Sequence, residues 1–154
     1  MQIAFETPDQ PDVYALIGEL DAFLYSLYPP ENVYALDIAA LRDPNVLFAV
    51  VRDGDGMAVG CGAIVMQAGV GELKRMYIRP GARGKGHARR LVETLEAQAI
   101  QQGCSTFVLE SGPLNMEALV LYERLGYRYR NAFGDYPEDP SSVFMQKSVA
   151  DAAD

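Results

Sequence analysis

The sequence predicts an α/β domain of about seven strands and four helices. Three observations carry that reading. Strand-like apolar runs and stretches of helical spacing follow one another in the order β-α-α-β-β-β-α-β-α-β-β. Turn signals at Asp53-Gly54-Asp55-Gly56 and Ala68-Gly69 join three successive strands. A basic, glycine-rich stretch, Arg79-Pro80-Gly81-Ala82-Arg83-Gly84-Lys85-Gly86-His87-Ala88-Arg89-Arg90-Leu91, runs from a strand end straight into a helix.

Residues 2–6 read as a short strand. Thr7-Pro8-Asp9-Gln10 then has the form of a helix start, with Thr7 as cap, Pro8 in the first turn and Gln10 completing a capping box. Val13, Leu16, Ile17, Leu20, Leu24 and Leu27 make one apolar face, and Pro29-Pro30 ends the helix. A shorter helix is expected over about residues 35–42, stopped before Pro44. Strands follow at Val46–Arg52, Met57–Gln67 and Val70–Ile78. After the basic loop, Ala88, Leu91, Val92, Leu95 and Ala99 form an apolar stripe with Arg89, Glu93 and Glu96 off it, and Gly103 is the stop. Ser105–Glu110 is a strand and Pro113–Leu125 a helix ended by Gly126. Tyr127 to about Ala132 and Val143–Lys147 are the last two strands, with a two-proline loop between. Residues 1–148 read as one domain and 149–154 as a flexible polar tail.

At 154 residues, with 49% hydrophobic and 22% charged residues, the chain has the balance of a water-soluble globular domain. Its start lacks the basic and apolar segments of a signal peptide, and its aliphatic runs are strand-length, so no membrane span is expected and the cytoplasm is the expected compartment. Two cysteines, Cys61 and Cys104, make no disulfide framework, and with one histidine there is no metal spacing. The net charge of −8 argues against nucleic acid as a partner. Yet Lys74, Arg75, Arg79, Arg83, Lys85, Arg89 and Arg90 are seven of the 13 basic residues, with no acid among them. Positive charge gathered at one loop of an acidic protein attracts one anionic ligand.

The loop's position explains what that ligand offers. The first amides of a helix lack backbone partners and carry the positive end of its dipole. Glycines let the backbone approach and turn those amides inward, which makes a phosphate cradle. A P-loop would need Ser or Thr after Gly-Lys, where Gly86 stands, and a dinucleotide fingerprint would need glycine where Arg89 stands. Arg-x-x-Gly-x-Ala fits, as Arg83, Gly86 and Ala88. A nucleotide-phosphate enzyme is disfavoured, since no motif for magnesium or hydroxyl activation accompanies the loop.

That motif resembles the pyrophosphate-binding motif of the GNAT superfamily, the GCN5-related N-acetyltransferases. The run Leu121-Tyr122-Glu123-Arg124-Leu125-Gly126-Tyr127 resembles a second GNAT hallmark, and the element order is similar to the GNAT fold along the whole chain. The resemblance implies a mixed, mostly antiparallel sheet and a small single-domain bacterial-type enzyme. It implies an acetyl-CoA-dependent N-acetyltransferase moving an acetyl group to a small amine or amino-terminal acceptor. Direct attack in a ternary complex is expected, since neither motif holds a cysteine. A CoA-binding sensor without turnover is the alternative. No metal is implied, and monomer and homodimer both stay open.

The resemblance also assigns residues. Arg83, Gly84, Lys85, Gly86, His87 and Ala88 would hold the pyrophosphate, and backbone groups of Met76, Tyr77 and Ile78 the pantetheine arm. Asn115 would bond that arm or simply cap its helix. Tyr122 would be the general acid, against a role as core tyrosine. Glu72 is the expected base, with Glu110 its rival. The acceptor side would be built from Tyr28, Glu31, Asp135 and Tyr136, where Glu31, Asp135, Glu138 and Asp139 would draw a cationic acceptor.

Overall fold

The computed structural model describes residues 1–149. Seven strands form one sheet in the order β1-β2-β3-β4-β5-β7-β6. They are β1 (Gln2–Phe5), β2 (Val46–Arg52), β3 (Ala58–Gln67), β4 (Val70–Ile78), β5 (Thr106–Ser111), β6 (Arg128–Arg130) and β7 (Val143–Ser148). Among the described residues only the central β4–β5 pair is parallel. The helices are α1 (Pro11–Leu27), α2 (Ile38–Leu41), α3 (His87–Gln101) and α4 (Met116–Arg124).

Alternation along β2 shows how the layers divide. Phe48 and Val50 point to a core shared with Val13, Leu16, Ile17 and Leu20 of α1 and Leu41 of α2. Ala49 and Val51 point to the opposite core, with Leu91, Val92 and Leu95 of α3 and Leu119 and Tyr122 of α4. The α3 stripe read from spacing is the face that packs.

Several boundaries differ from expectation. Helix α1 begins at Pro11 with Gln10 at its cap position, and no side chain caps it. Thr7 and Pro8 stay outside because Arg52 gathers Glu6, Gln10 and Asp12 into one ion-pair cluster, which fixes the entry of the chain. Helix α2 is shorter than expected. Asp37 accepts from the Ala40 amide at 2.8 Å and starts it late, so residues 35–37 stay outside the helix. Helix α4 starts three residues after Pro113, and β6 keeps three residues of its expected run.

Glu96 corrects the reading of α3. It is buried, 6% exposed, and not a solvated charge. Tyr127 donates to its Oε2 at 2.6 Å and Lys147 to its Oε1 at 2.9 Å. Of the expected tail, residues 150–154 lie outside the described residues, while the Val149 amide donates to the Ser105 carbonyl at 2.8 Å.

Candidate active site

The central parallel pair does not stay closed. Register between β4 and β5 ends at Leu73–Leu109, although β4 runs on to Ile78 and β5 to Ser111. Past that point β4 pairs only with β3, and its inner edge faces a cavity of about 810 Å³. The sequence could not show this splay. Its cause lies in β4 itself. Cys61 pairs with Tyr77 and Ala63 with Lys74, so Gly62 opposes two residues and the strand bulges. Arg75 sits in the bulge at φ 57, a left-handed conformation costly for a side chain. Two bonds hold it there: Nε donates to the Leu36 carbonyl at 2.7 Å and a terminal nitrogen to Asp21 Oδ1 at 2.5 Å.

One end of the cavity is the glycine loop. Gly84 and Gly86 lie at φ 77 and 80, with open space where a Cβ would stand. The first bond into α3 runs from the Arg90 amide to the Gly86 carbonyl at 3.2 Å. Among the described residues the amides of Gly84 through Arg89 have no carbonyl partner. Arg83 is tied back, its Nε donating to the Ile78 carbonyl at 2.8 Å. Arg83, Gly84, Gly86, His87 and Ala88 line the cavity, as do Met76, Tyr77 and Ile78; Lys85 is exposed beside it.

The positive field is narrower than the sequence implied. Lys74 pairs with Glu72, Arg75 with Asp21 and Arg79 with Glu19. Acids distant in sequence, Asp21 and Glu19 of α1, supply the partners of Arg75 and Arg79, and Glu72 of the same strand supplies that of Lys74. That leaves Arg83, Lys85, Arg89 and Arg90 to carry the charge of the loop, with Arg89 in an exposed pair with Glu93.

Asn115 occupies the cap position of α4 and makes no cap bond. Its amide nitrogen donates to Ser111 Oγ at 3.3 Å. Its Oδ1 and the Nδ1 of His87 are buried and lack partners, and both residues line the cavity. Buried polar atoms left unpaired are costly, so two lining one cavity suit a ligand that pairs them. The donors and acceptors thus fit an anion at the loop joined to an arm carrying amide groups.

Tyr122 is 6% exposed and lines the cavity. Burial raises its phenol above the ordinary value. Its ring meets that of Tyr127 edge-on, centroids 5.7 Å apart. The two candidate bases separate. Glu72 is absent from the cavity wall and is held by Tyr136 at 2.6 Å and Lys74 at 3.3 Å. Glu110 lines the cavity, and burial raises its carboxyl despite a 2.8 Å bond from Ser142 Oγ.

The expected acceptor residues scatter. Tyr28 lines the cavity, but its hydroxyl accepts from the Leu114 amide at 3.0 Å, and a Cβ on Gly112 would stand 2.0 Å from it. It ties the end of α1 to the entry of α4. Glu31 and Asp135 are exposed and away from the wall. Glu138 accepts from the Ala132 amide and Asp139 from Ser141, bonds that serve their own loop. Tyr136 packs on Tyr34, Phe133 and Phe144. Sequence reasoning missed Ser142 and the bulge at Arg75. Neither has a local signal, since their partners lie 32 and 39 residues away.

Residues 13–127 match the model of the Acetyltransferase (GNAT) family. The chain belongs to that family. As a GNAT N-acetyltransferase it is 44% identical over 149 residues to the IAA acetyltransferase of Azospirillum brasilense, covering 96% of this chain and 97% of the relative. It is 34% identical over 140 residues to the uncharacterized N-acetyltransferase YsnE of Bacillus subtilis, covering 89% and 92%. A candidate acyl-CoA N-acyltransferase from Klebsiella pneumoniae superposes with TM-score 0.84 at 39% identity, covering 96% and 97%. The fold is also that of the PaiA N-acetyltransferase from Thermoplasma acidophilum, solved with coenzyme A, at TM-score 0.74 and 18% identity, covering 96% and 99%. The seven-stranded sheet with four helices is therefore the GNAT fold, and no helix among the described residues is long and apolar enough to cross a membrane.

Proposed function

We propose that this GNAT enzyme moves an acetyl group from acetyl-CoA to a small primary amine or amino-terminal group by direct attack within one ternary complex. The observation that carries the proposal is a single cavity that joins a loop of unpaired amides to a half-buried acid, Glu110, and a buried phenol, Tyr122. Acetyl-CoA supplies an activated thioester whose thiol is the leaving group.

The chain's own residues supply the rest. The amides of Gly84 through Arg89 hold the pyrophosphate, and Arg83 adds charge. Asn115 Oδ1 accepts from an amide of the arm, which pairs an atom otherwise orphaned. The free edge of β4 at Met76–Ile78 aligns the arm and offers an N–H to polarise the acyl carbonyl. Glu110 takes a proton from the amine, directly or through one water. Its raised pKa makes it a stronger base than an ordinary carboxylate. Tyr122 stays protonated at neutral pH and gives its proton to the departing sulfur. Neither cysteine lines the cavity, and burial pushes the Cys61 thiol up to about 12, which supports direct attack over an acyl-cysteine route.

Release of free thiol from acetyl-CoA across a panel of primary amines tests this. Amine-dependent release that Glu110→Gln and Tyr122→Phe both suppress supports it. Stabilisation by CoA with no amine-dependent release would leave the chain a CoA-binding protein without turnover.

A further inference from the structure

Resting on the acetyl-transfer reading, we infer that the acceptor is a primary monoamine on an apolar or aromatic body, and that a second ammonium group on the acceptor is rejected. The cavity end opposite the glycine loop lies where Lys74 and Arg75 leave the paired part of β4. Its wall is mostly apolar, Leu20, Phe23 and Leu24 of α1 with Val33, Tyr34 and Leu36 of the segment after it, and Asn32 is the one amide side chain among them.

Charge at this end is already balanced. Lys74 Nζ donates to the Tyr34 carbonyl at 3.0 Å, to Tyr136 and toward Glu72, so its three protons are spent. Arg75 is committed to Leu36 and Asp21. One carboxylate, Glu110, faces this end. The other acid on the wall, Glu117, is exposed in the first turn of α4.

An acceptor amine delivered to Glu110 therefore leaves the remainder of its body against aliphatic and aromatic side chains. A methyl or phenyl group gains by leaving water there. A distal ammonium would lose its water there and find Glu72 and Asp21, the acids beside this end, already paired with Lys74 and Arg75. Glu31 and Asp135, which the sequence suggested as a cationic subsite, are exposed and not among the residues lining the cavity.

The test uses n-hexylamine and 1,5-diaminopentane, which have equal numbers of heavy atoms and differ only at the far end. With acetyl-CoA saturating, kcat/KM for hexylamine is expected to exceed that for the diamine by about 10-fold or more. A diamine that equals or beats hexylamine overturns the inference and leaves acetyl transfer intact. Phe23→Asp places an acid on this wall at a position 40% exposed, where the fold tolerates charge. It should narrow the hexylamine preference about 10-fold, and an unchanged ratio overturns the placement of the acceptor body against α1. If no amine turns over, the acetyl-transfer reading fails by itself. Titration calorimetry of both amines into the CoA-loaded protein then decides the inference: tighter hexylamine binding sustains it, and equal or tighter diamine binding overturns it.

Discussion

The Tyr136 hydroxyl donates to Glu72 Oε2 across 2.6 Å, and this bond removes Glu72 from the cavity. Lys74 closes the cluster from the other side. Glu72→Gln should therefore weaken the packing of the loop at Tyr136 and lower turnover only a few-fold. Glu110→Gln should lower turnover by roughly 10²–10⁴, the range of a general base. Parallel steady-state assays of the two variants check the assignment. The reverse order of effects would return the base role to Glu72.

The pH dependence has a definite sign. Burial holds the Glu110 carboxyl above its ordinary 4.5. The folded protein thus binds a proton there that the unfolded chain has released, over the interval between the two values. Stability falls as pH rises through that interval and is flat above it. Glu110→Gln removes this loss, so its melting temperature should exceed that of the parent at pH 7 and approach it at pH 4. Activity runs oppositely, because only the ionised carboxyl accepts a proton. The acid limb of kcat/KM should lie above the ordinary carboxylate range, and Tyr122, raised by burial, should add no alkaline fall below pH 9.

Gly86→Asp would place a carboxylate in the cradle at φ 80. CoA at about 100 times its Kd stabilises a protein by about 2.7 kcal/mol. Thermal melts of the variant should show that gain abolished, on top of a ligand-free melt lowered by the strain of a side chain at this left-handed position. A full CoA shift in the variant would sink the phosphate role of the loop.

Tyr122→Phe keeps the edge contact with Tyr127 and removes one hydroxyl. CoA affinity should stay within a few-fold and turnover should fall by roughly 10²–10⁴. Unchanged turnover would make Tyr122 a core residue and leave solvent to protonate the thiolate.

Glu96→Ala strips two partners at once, leaving the buried Tyr127 hydroxyl and the Lys147 ammonium unpaired. A loss of about 3–5 kcal/mol is expected in urea unfolding. Glu96→Gln should recover part of it, since the amide oxygen still accepts.

What the sequence disclosed followed from local chemistry. The α3 stripe, the three-strand meander and the glycine loop each rest on spacing within a dozen residues, and each is present. What it hid depends on partners far along the chain. Glu96 looks solvated on a helical wheel because Tyr127 and Lys147, which bury it, stand 31 and 51 residues away. Arg75 and Arg79 read as part of a free basic field because Asp21 and Glu19 reach them from α1, far back in the chain. The acids of the 133–142 loop read as a subsite because nothing local shows that Glu138 and Asp139 satisfy backbone amides beside them.

The clamp between β4 and the segment before α2 has one more consequence. Both anchors, Lys74 to Tyr34 and Arg75 to Leu36, end on main-chain carbonyls. Every amino acid owns that oxygen. The side chains at 33, 34 and 36 can therefore be exchanged while the attachment to the catalytic strand persists. With the acceptor placed against this wall as proposed above, acceptor preference would be separable from the chemistry, a wall that can be rewritten without unfastening it. Libraries confined to those three positions should yield altered selectivity with cofactor handling preserved, whereas changes at Lys74 or Arg75 should lose both together.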